Sequence, residues 1–139
     1  MVVVGIIAIL LAIAIPTFLA TRGKAQDKSA QSSLRNTLTA AKTLYADTND
    51  YTKADTTALT AAEKSVTFQS GASTGPTVVS VGSATTNNFY AAAKSDSTTC
   101  YYIRDVLGTS ATGTQWSSGT GTCDAATAAG TTLTWRAAP

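Results

Sequence analysis

The sequence contains no histidine, and charged residues make up only 13% of its 139 residues, with a formal net charge of +2. Histidine is the side chain whose ordinary pKa best suits acid–base catalysis near neutral pH, and it is the commonest metal ligand. The chain also lacks a Gly-x-Ser-x-Gly motif and a phosphate-binding P-loop. Basic residues form no tract after Lys28, so specific binding of nucleic acid is not expected. We therefore expect a protein that is not an enzyme and has no catalytic residue, metal ligand or cofactor.

Acidic residues are also scarce, and only Asp96, Asp105 and Asp124 follow Glu63. Two of these carboxylates could contribute to a calcium site, but Ca²⁺ takes about six to eight oxygen ligands and this set is too small. Solvated surface carboxylates are the preferred interpretation. Most aromatic residues lie at expected strand or helix-face positions and are interpreted as core.

Only two cysteines are present, Cys100 and Cys123, and their spacing does not match a zinc site. In an oxidising compartment such a pair most simply forms one disulfide, which would contribute about 3 kcal/mol by restricting the unfolded chain. The alternative is a pair of reduced, buried thiols in a cytosolic protein. The apolar N-terminal segment described next favours the disulfide.

Residues 1–20, MVVVGIIAILLAIAIPTFLA, carry no charge, and Thr17 is their single hydroxyl. At about 1.5 Å per residue, a helix of this length spans roughly 30 Å, close to the thickness of the hydrocarbon core of a bilayer. A cleaved signal peptide is disfavoured because no basic residue precedes the apolar run. The segment therefore predicts a helix that lies in lipid or is covered by protein on all sides. Pro16 cannot donate to the carbonyl of Ala12, so the helix is expected to kink or loosen there.

The helical pattern continues past the first charge, Arg22, and becomes amphipathic. Four residues recur at spacings of three and four and predict the face that packs on the rest of the protein: Leu34, Leu38, Ala41 and Tyr45. We predict one helix from about residue 1 to 49, in which residues 1–20 are apolar all round and residues 21–50 are apolar on one face.

Short polar residues and glycines separate the remaining elements. Residues 51–76 are predicted to form a connecting loop with one helical turn around residues 57–64. The domain at residues 77–139 has a period of two, and strands are predicted at residues 77–81, 89–94, 99–107 and 133–136, with a loop around Trp116 at residues 108–122. The fold class is therefore α+β, a long helix packed on a small antiparallel sheet.

The run MVVVGIIAILLAIAIP, followed by a polar helix, resembles the N-terminal helix of type IV pilins and of the related type II secretion pseudopilins. The motif resemblance covers residues 1–35. The rest agrees in layout, with Tyr51 and Thr52 after the helix and two late cysteines. The resemblance implies the pilin fold. It also implies that the helix is unwound in the filament between Gly5 and Pro16, here from Ala8 through Ala12 to Pro16.

The resemblance implies a structural subunit that polymerises into an extracellular type IV pilus-like filament used for adhesion, motility or DNA uptake. Its partners would be other copies of itself, the inner membrane before assembly, the pilus assembly machinery, and host or surface ligands afterwards. Its location would change from the inner or cytoplasmic membrane to the cell surface. Lys24 and Lys28 could then pair with Asp27 or Asp47 of a neighbouring subunit.

One departure concerns the start of the chain. Family members carry a Phe-Thr-Leu-Ile-Glu-like run immediately before the residue that matches Met1, and it is absent here. The leader cleavage site, the methylated residue and the buried glutamate therefore match no position, and we expect the sequence to be incomplete at this end. Two alternatives stay open. One is a type II secretion pseudopilin or minor pilin, and the other is a membrane-anchored binding domain that does not polymerise.

Overall fold

The computed structural model describes residues 2–108, 113–130 and 133–137. Its elements, in chain order, are α1 (Val2–Thr48), a 3₁₀ helix (Tyr51–Lys53), α2 (Thr56–Ala62), β1 (Thr67–Gln69), β2 (Val78–Thr85), β3 (Asn88–Lys94), β4 (Cys100–Val106), β5 (Gly113–Gly119), α3 (Ala125–Ala129) and β6 (Arg136–Ala137). The fold is α+β, as predicted: a long helix packs on one six-stranded sheet. Met1 and parts of the predicted loop at 108–122 and of the domain at 77–139 lie outside the described residues.

Helix α1 is a single element of 47 residues and includes Pro16. At the rise of an α-helix it is about 70 Å long. It ends where Asn49 adopts a left-handed φ of 53°, a conformation that asparagine tolerates better than most residues. The Asn49 amide still donates to the carbonyl of Tyr45, at 2.6 Å. The predicted single helix and its end near residue 49 are confirmed.

The sheet has the strand order β1-β2-β3-β4-β5-β6, so each strand pairs with its sequence neighbours. The prediction of an antiparallel sheet is correct for every pair except β1 and β2, which run parallel, with Thr67 opposite Val78. Strand β1 lies inside the predicted connecting loop, and that part of the prediction is wrong. Three residues with only Phe68 buried are too few to show an alternating pattern.

The predicted loop around Trp116 is also wrong, because residues 113–119 form strand β5. Two glycines and two serines give this segment little intrinsic strand preference, but it pairs on both sides. Trp116 lies opposite Ile103 of β4 and opposite Arg136 of β6. Tertiary pairing therefore overrides local preference here. The predicted last strand at 133–136 is correct only at Arg136, because β6 consists of Arg136 and Ala137.

Both faces of the sheet are covered, which explains why the five central residues of β3 are all buried. Leu34 of α1 packs with Phe89 and Ile103 on one face. Helix α3 covers the other face, where its alanines pack with Tyr102. A Cβ atom added to Gly82 would lie 3.2 Å from the Cβ of Ala125, so glycine at this position permits the close approach of α3 to β2.

The predicted disulfide is confirmed. Cys100 and Cys123 are bonded, with their Cα atoms 5.3 Å apart and 23 positions apart in the sequence. The bond joins the first residue of β4 to the segment that precedes α3. Tyr102 strengthens the same attachment by donating its hydroxyl to the carbonyl of Thr122, at 3.0 Å. We call the sheet, with α2 and α3, the head.

Candidate assembly surface

The apolar half of α1, which we define as residues 2–19, is not packed against the head. Its large aliphatic and aromatic side chains are exposed, from 50% at Ile7 to 77% at Val2. Among the residues that the structure describes, every exposed large hydrophobic side chain lies in this half. A soluble protein rarely leaves an apolar patch of this extent uncovered. Something outside the chain, lipid or protein, must cover it.

Helix α1 is long and apolar enough over this half to cross a bilayer. Signal sequences near an N-terminus meet the same criterion, so length and composition alone support a membrane anchor only weakly. The continuity of the helix adds a second constraint, because the apolar half runs without interruption into the part that is fixed to the head.

The residues predicted to mark the helix break share one side of the apolar half. Spacings of three, four and four place Gly5, Ala8, Ala12 and Pro16 on one face of α1. No atom lies within 4 Å of the position that a Cβ of Gly5 would take. Small residues on one face allow the backbone of another helix to approach closely. The isolated chain is helical throughout this region, and unwinding in the assembled state stays a prediction.

The only hydroxyl of the apolar half belongs to Thr17, and it is satisfied within the helix. Its Oγ1 donates toward the carbonyls of Ala14, at 2.9 Å, and Ile13, at 3.2 Å. A polar group bonded in this way can enter an apolar environment without leaving a donor unpaired. Thr17 is therefore compatible with burial in lipid or in a protein core.

A short cationic stretch follows the apolar half. Arg22, Lys24 and Lys28 are exposed, as is Asp47 further along the helix. Their exposure leaves Lys24 and Lys28 accessible to the predicted partner Asp47 of another subunit. That contact lies between copies of the chain and stays a prediction.

The other predicted partner, Asp27, is hydrogen-bonded to the head of the same chain. It accepts a hydrogen bond from the hydroxyl of Ser97, in the loop between β3 and β4, at 2.5 Å. Hydrogen bonds from the hydroxyls of Ser95 and Ser97 lower the pKa of Asp27 below its ordinary value. The ionised carboxylate thus attaches α1 to the head close to the boundary of the apolar half.

The predicted packing face of α1 lies against the sheet. Leu34 and Ala41 are fully buried and Leu38 is 8% exposed, all within the larger core cluster. Tyr45 is half-buried and packs on the same cluster, and its ring centroid lies 4.5 Å from that of Tyr51. We call residues 26–48 the packed half of α1.

Asp105 lies at the centre of a second attachment, and its interpretation as a solvated surface carboxylate is wrong. Only 2% of Asp105 is exposed. The hydroxyls of Tyr51 and Thr114 each donate to its carboxylate at 2.6 Å. The Lys42 Nζ of α1 lies 3.1 Å from the Oδ1 atom of Asp105. One carboxylate therefore joins the packed half, the segment after α1 and strands β4 and β5.

The environment of Asp105 sets the protonation states of this cluster. Burial alone would raise the pKa of Asp105, but the hydrogen bonds from Thr114 and Tyr51, together with Lys42, outweigh burial and lower it. Burial and the adjacent carboxylate raise the pKa of Tyr51. At neutral pH, Asp105 is therefore ionised and Tyr51 is a neutral hydrogen-bond donor.

The remaining late carboxylates have separate structural positions. Asp124 caps α3 by accepting a hydrogen bond from the amide of Thr127, at 2.6 Å, while Asp96 is exposed in the loop between β3 and β4. In the described part of the chain, no three His, Cys, Asp or Glu side chains are grouped as a metal site would require.

The buried role of Asp105 had a signal in the sequence. Asp105 follows Tyr101 and Ile103 at a period of two, which places all three side chains on one face of β4. That face packs on α1, where Ile103 is fully buried. The partner Lys42 could not be identified from this pattern, because the contact depends on the register between helix and sheet.

The geometry defines an α+β protein with a disulfide-bonded head and a half-exposed N-terminal helix. Comparison of the chain with protein-family models, with curated proteins and with solved structures gives no match. Any assignment of function must therefore be argued from the residues and from their arrangement in this fold.

Proposed function

We propose that this chain is a structural subunit of a type IV pilus-like filament, in which the apolar half of α1 forms the core and the head forms the outer layer. The observation that carries the proposal is the separation of surfaces along α1. The packed half is fixed to the head, while the apolar half exposes its large hydrophobic side chains and is left uncovered by the residues that the structure describes.

Storage in a membrane followed by assembly is energetically reasonable for such a helix. Moving the apolar half from lipid into a bundle of identical helices replaces one apolar environment with another, so hydrophobic transfer contributes little. Close van der Waals packing supplies the difference. Gly5, Ala8 and Ala12 on one face support this packing because they let neighbouring backbones approach.

The attachment of the head to α1 supports polymerisation by a repeated contact. The packed half is bonded to the head at two separate points, through Asp27 to Ser97 and through Lys42 to Asp105, so the head holds one orientation relative to the apolar half. A contact between different surfaces of successive subunits that does not close into a ring generates an open helical polymer. Adhesion, motility or DNA uptake would then depend on the surfaces of the heads.

Electron microscopy tests this function directly. The chain would be produced in bacteria that have a type IV pilus assembly system but lack their own major subunit, and material sheared from the cells would be labelled with an antibody against the head. We expect long labelled filaments. Short labelled fibres confined to the envelope would favour a pseudopilin or minor pilin instead. Protein found only as monomers in the membrane would contradict polymerisation and favour a tethered binding domain.

A further inference from the structure

A groove of about 430 Å³ lies where the packed half of α1 meets the β5–β6 edge of the sheet. Its volume falls in the range of small-molecule sites, about 300–1,000 Å³. The side chains that define it come from four elements and are Gln31, Arg35, Tyr101, Trp116, Ser118 and Arg136. None of them belongs to the apolar half, so the groove is separate from the surface proposed to form the filament core.

The strand register brings these side chains to the same face of the sheet. Trp116 lies opposite Ile103 on one side and opposite Arg136 on the other, while Ser118 lies opposite Tyr101. Residues directly opposite in a pair of strands point to the same face. Since Ile103 is buried in the cluster that contacts α1, Arg136 also belongs to the helix-facing side, next to Trp116.

Two guanidinium groups line the groove, and the carboxylate of Asp27 lies beside one of the lining side chains, Tyr101, where Ser97 already donates to it. The guanidinium carbon of Arg35 lies 5.4 Å from the centroid of the Trp116 ring, which holds this cation at the groove. Among the described residues, none that lines the groove is acidic. In the described ranges, neither Arg35 nor Arg136 has a carboxylate within salt-bridge distance. Two guanidinium groups around one cavity favour an anionic ligand, and their planar geometry fits a carboxylate best.

Arg104 differs from the two groove arginines because its side chain is bonded within the head. Its Nε donates to the Oε1 atom of Gln115 at 2.6 Å, and its guanidinium lies 4.3 Å from the centroid of the Trp135 ring. Arg104 thus makes one side-chain hydrogen bond and one stacking contact, both within the head. Arg35 stacks on Trp116 only and, like Arg136, has no side-chain hydrogen bond in the described structure.

The rest of the lining indicates the kind of molecule that carries the carboxylate. Gln31, Ser118 and Thr134 contribute neutral hydrogen-bonding groups, and Tyr101 and Trp116 contribute aromatic surface. Neutral donors and acceptors beside aromatic rings suit a polyhydroxylated ring better than a purely apolar ligand. We propose that this groove binds a short saccharide that bears a carboxylate, with the carboxylate held by Arg35 and Arg136.

Tryptophan fluorescence of the full chain tests this site. The background variant is Trp135→Phe, which makes Trp116 the only tryptophan; the Nε1 atom of Trp135 is buried without a hydrogen-bond partner in the described structure, so no such bond is lost. The protein would be kept in a zwitterionic detergent without sugar groups. The probes are a disaccharide containing a hexuronate, the same disaccharide with its carboxylate reduced to a hydroxymethyl group, and acetate.

We expect saturable binding of the hexuronate disaccharide and at least ten-fold weaker binding of the reduced one. Arg35→Gln and Arg136→Gln should each weaken binding about ten-fold, which corresponds to the loss of one charged hydrogen-bonding contact. Lys28→Gln is the matched control, because Lys28 lies two helical turns before Arg35 on the same face of α1 and outside the groove. It should leave the affinity unchanged.

Three results would overturn the proposal. Equal binding of the reduced disaccharide would remove the role of the carboxylate. Acetate binding as tightly as the hexuronate would show a simple anion site and remove the saccharide. Equal weakening by Lys28→Gln would show a general charge effect. Circular dichroism of each variant would confirm that the head is folded, and the two arginine variants on separate elements test the site independently.

Discussion

The two halves of α1 belong to one unbroken helix, yet they are stabilised in different ways. In the packed half, Leu34 and Ala41 are fully buried against the sheet. In the apolar half, Leu11 and Leu19 are 53% and 60% exposed. Packing within the chain therefore accounts for the position of the first pair but not of the second. An apolar surface of this length that folding leaves uncovered needs cover from lipid or from another protein chain.

This comparison separates two properties that mutations can change one at a time. The stability of the head should depend on the packed half, while membrane association and assembly should depend on the apolar half. Each substitution below is chosen to change one property and leave the other as it is.

The largest effect is expected from a charge in the apolar half. Leu11→Asp should abolish filaments and lower membrane recovery, because a carboxylate at the centre of a membrane helix costs about 2.5–3.5 kcal/mol by insertion scales. Fractionation and electron microscopy would measure the two losses. Ser70→Asp, which adds the same charge at an exposed position of the head, is the control and should retain both. Filaments that persist with Leu11→Asp would exclude the apolar half from the core.

The next largest effect is expected when one leucine is shortened in each half. The two variants should differ in the stability of the head. Leu34→Ala should lower the free energy of unfolding of the head by about 2–5 kcal/mol, the range for a buried leucine. Leu19→Ala, with the same chemistry on the same helix, should change it by less than about 0.5 kcal/mol because its side chain is 60% exposed and belongs to neither core cluster. Urea unfolding in detergent, followed by tryptophan fluorescence, measures both. Similar free energies of unfolding for the two variants would contradict the claim that only the packed half stabilises the head.

Removal of the disulfide should weaken the head and leave the apolar half unaffected. The double variant Cys100→Ser, Cys123→Ser should lose about 3 kcal/mol of stability, because the bond closes a loop of 23 positions in the unfolded chain. Membrane recovery should stay at the wild-type level. Urea unfolding with and without reductant checks the prediction, since reductant should destabilise the wild type and have no effect on the variant.

The smallest effect is expected at the attachment of Asp105 to α1. Asp105→Asn should cost about 1 kcal/mol at pH 7, a modest value because the side chain of its partner Lys42 is 48% exposed. The pKa of Asp105 is lowered by folding, so its contribution is complete above the unfolded pKa of about 3.9 and is lost as the pH falls toward the folded value.

A pH series of unfolding measurements checks this contribution. The difference in stability between the wild type and Asp105→Asn should be constant from pH 7 to pH 5 and should shrink below about pH 4. Asp27, whose pKa is also lowered, is present in both proteins and cancels from the difference. A difference that grows as the pH falls would contradict the assigned ionisation of Asp105.

The long helix could be predicted because its signals are local. Hydrophobic periodicity, good helix formers and the polar stop after Thr48 identify α1 from sequence alone. The disulfide could be predicted because only two cysteines exist. Strands β3 and β4 could be predicted because each is a run of seven residues rich in apolar and aromatic side chains, with turn-forming residues beside it.

The missed features are those whose signal is not local. Strand β5 has a serine- and glycine-rich sequence, and its pairing with β4 and β6 decides its conformation. Strand β1 is three residues long and depends on its parallel partner β2. The cluster around Asp105 and the groove beside Trp116 both require the register between α1 and the sheet, which no periodicity in one segment can encode.

Photo-cross-linking from inside the apolar half tests the central claim most directly. A photoreactive phenylalanine analogue would replace Phe18 or, as a control, Thr57, which is exposed on α2. The sheared filament fraction would be irradiated and analysed by electrophoresis and mass spectrometry. We predict a ladder of multimers from position 18, with adducts to the apolar half of a neighbouring chain, and far fewer from position 57. Adducts to lipid alone, with no multimers from position 18, would show that this half anchors the protein without assembling it.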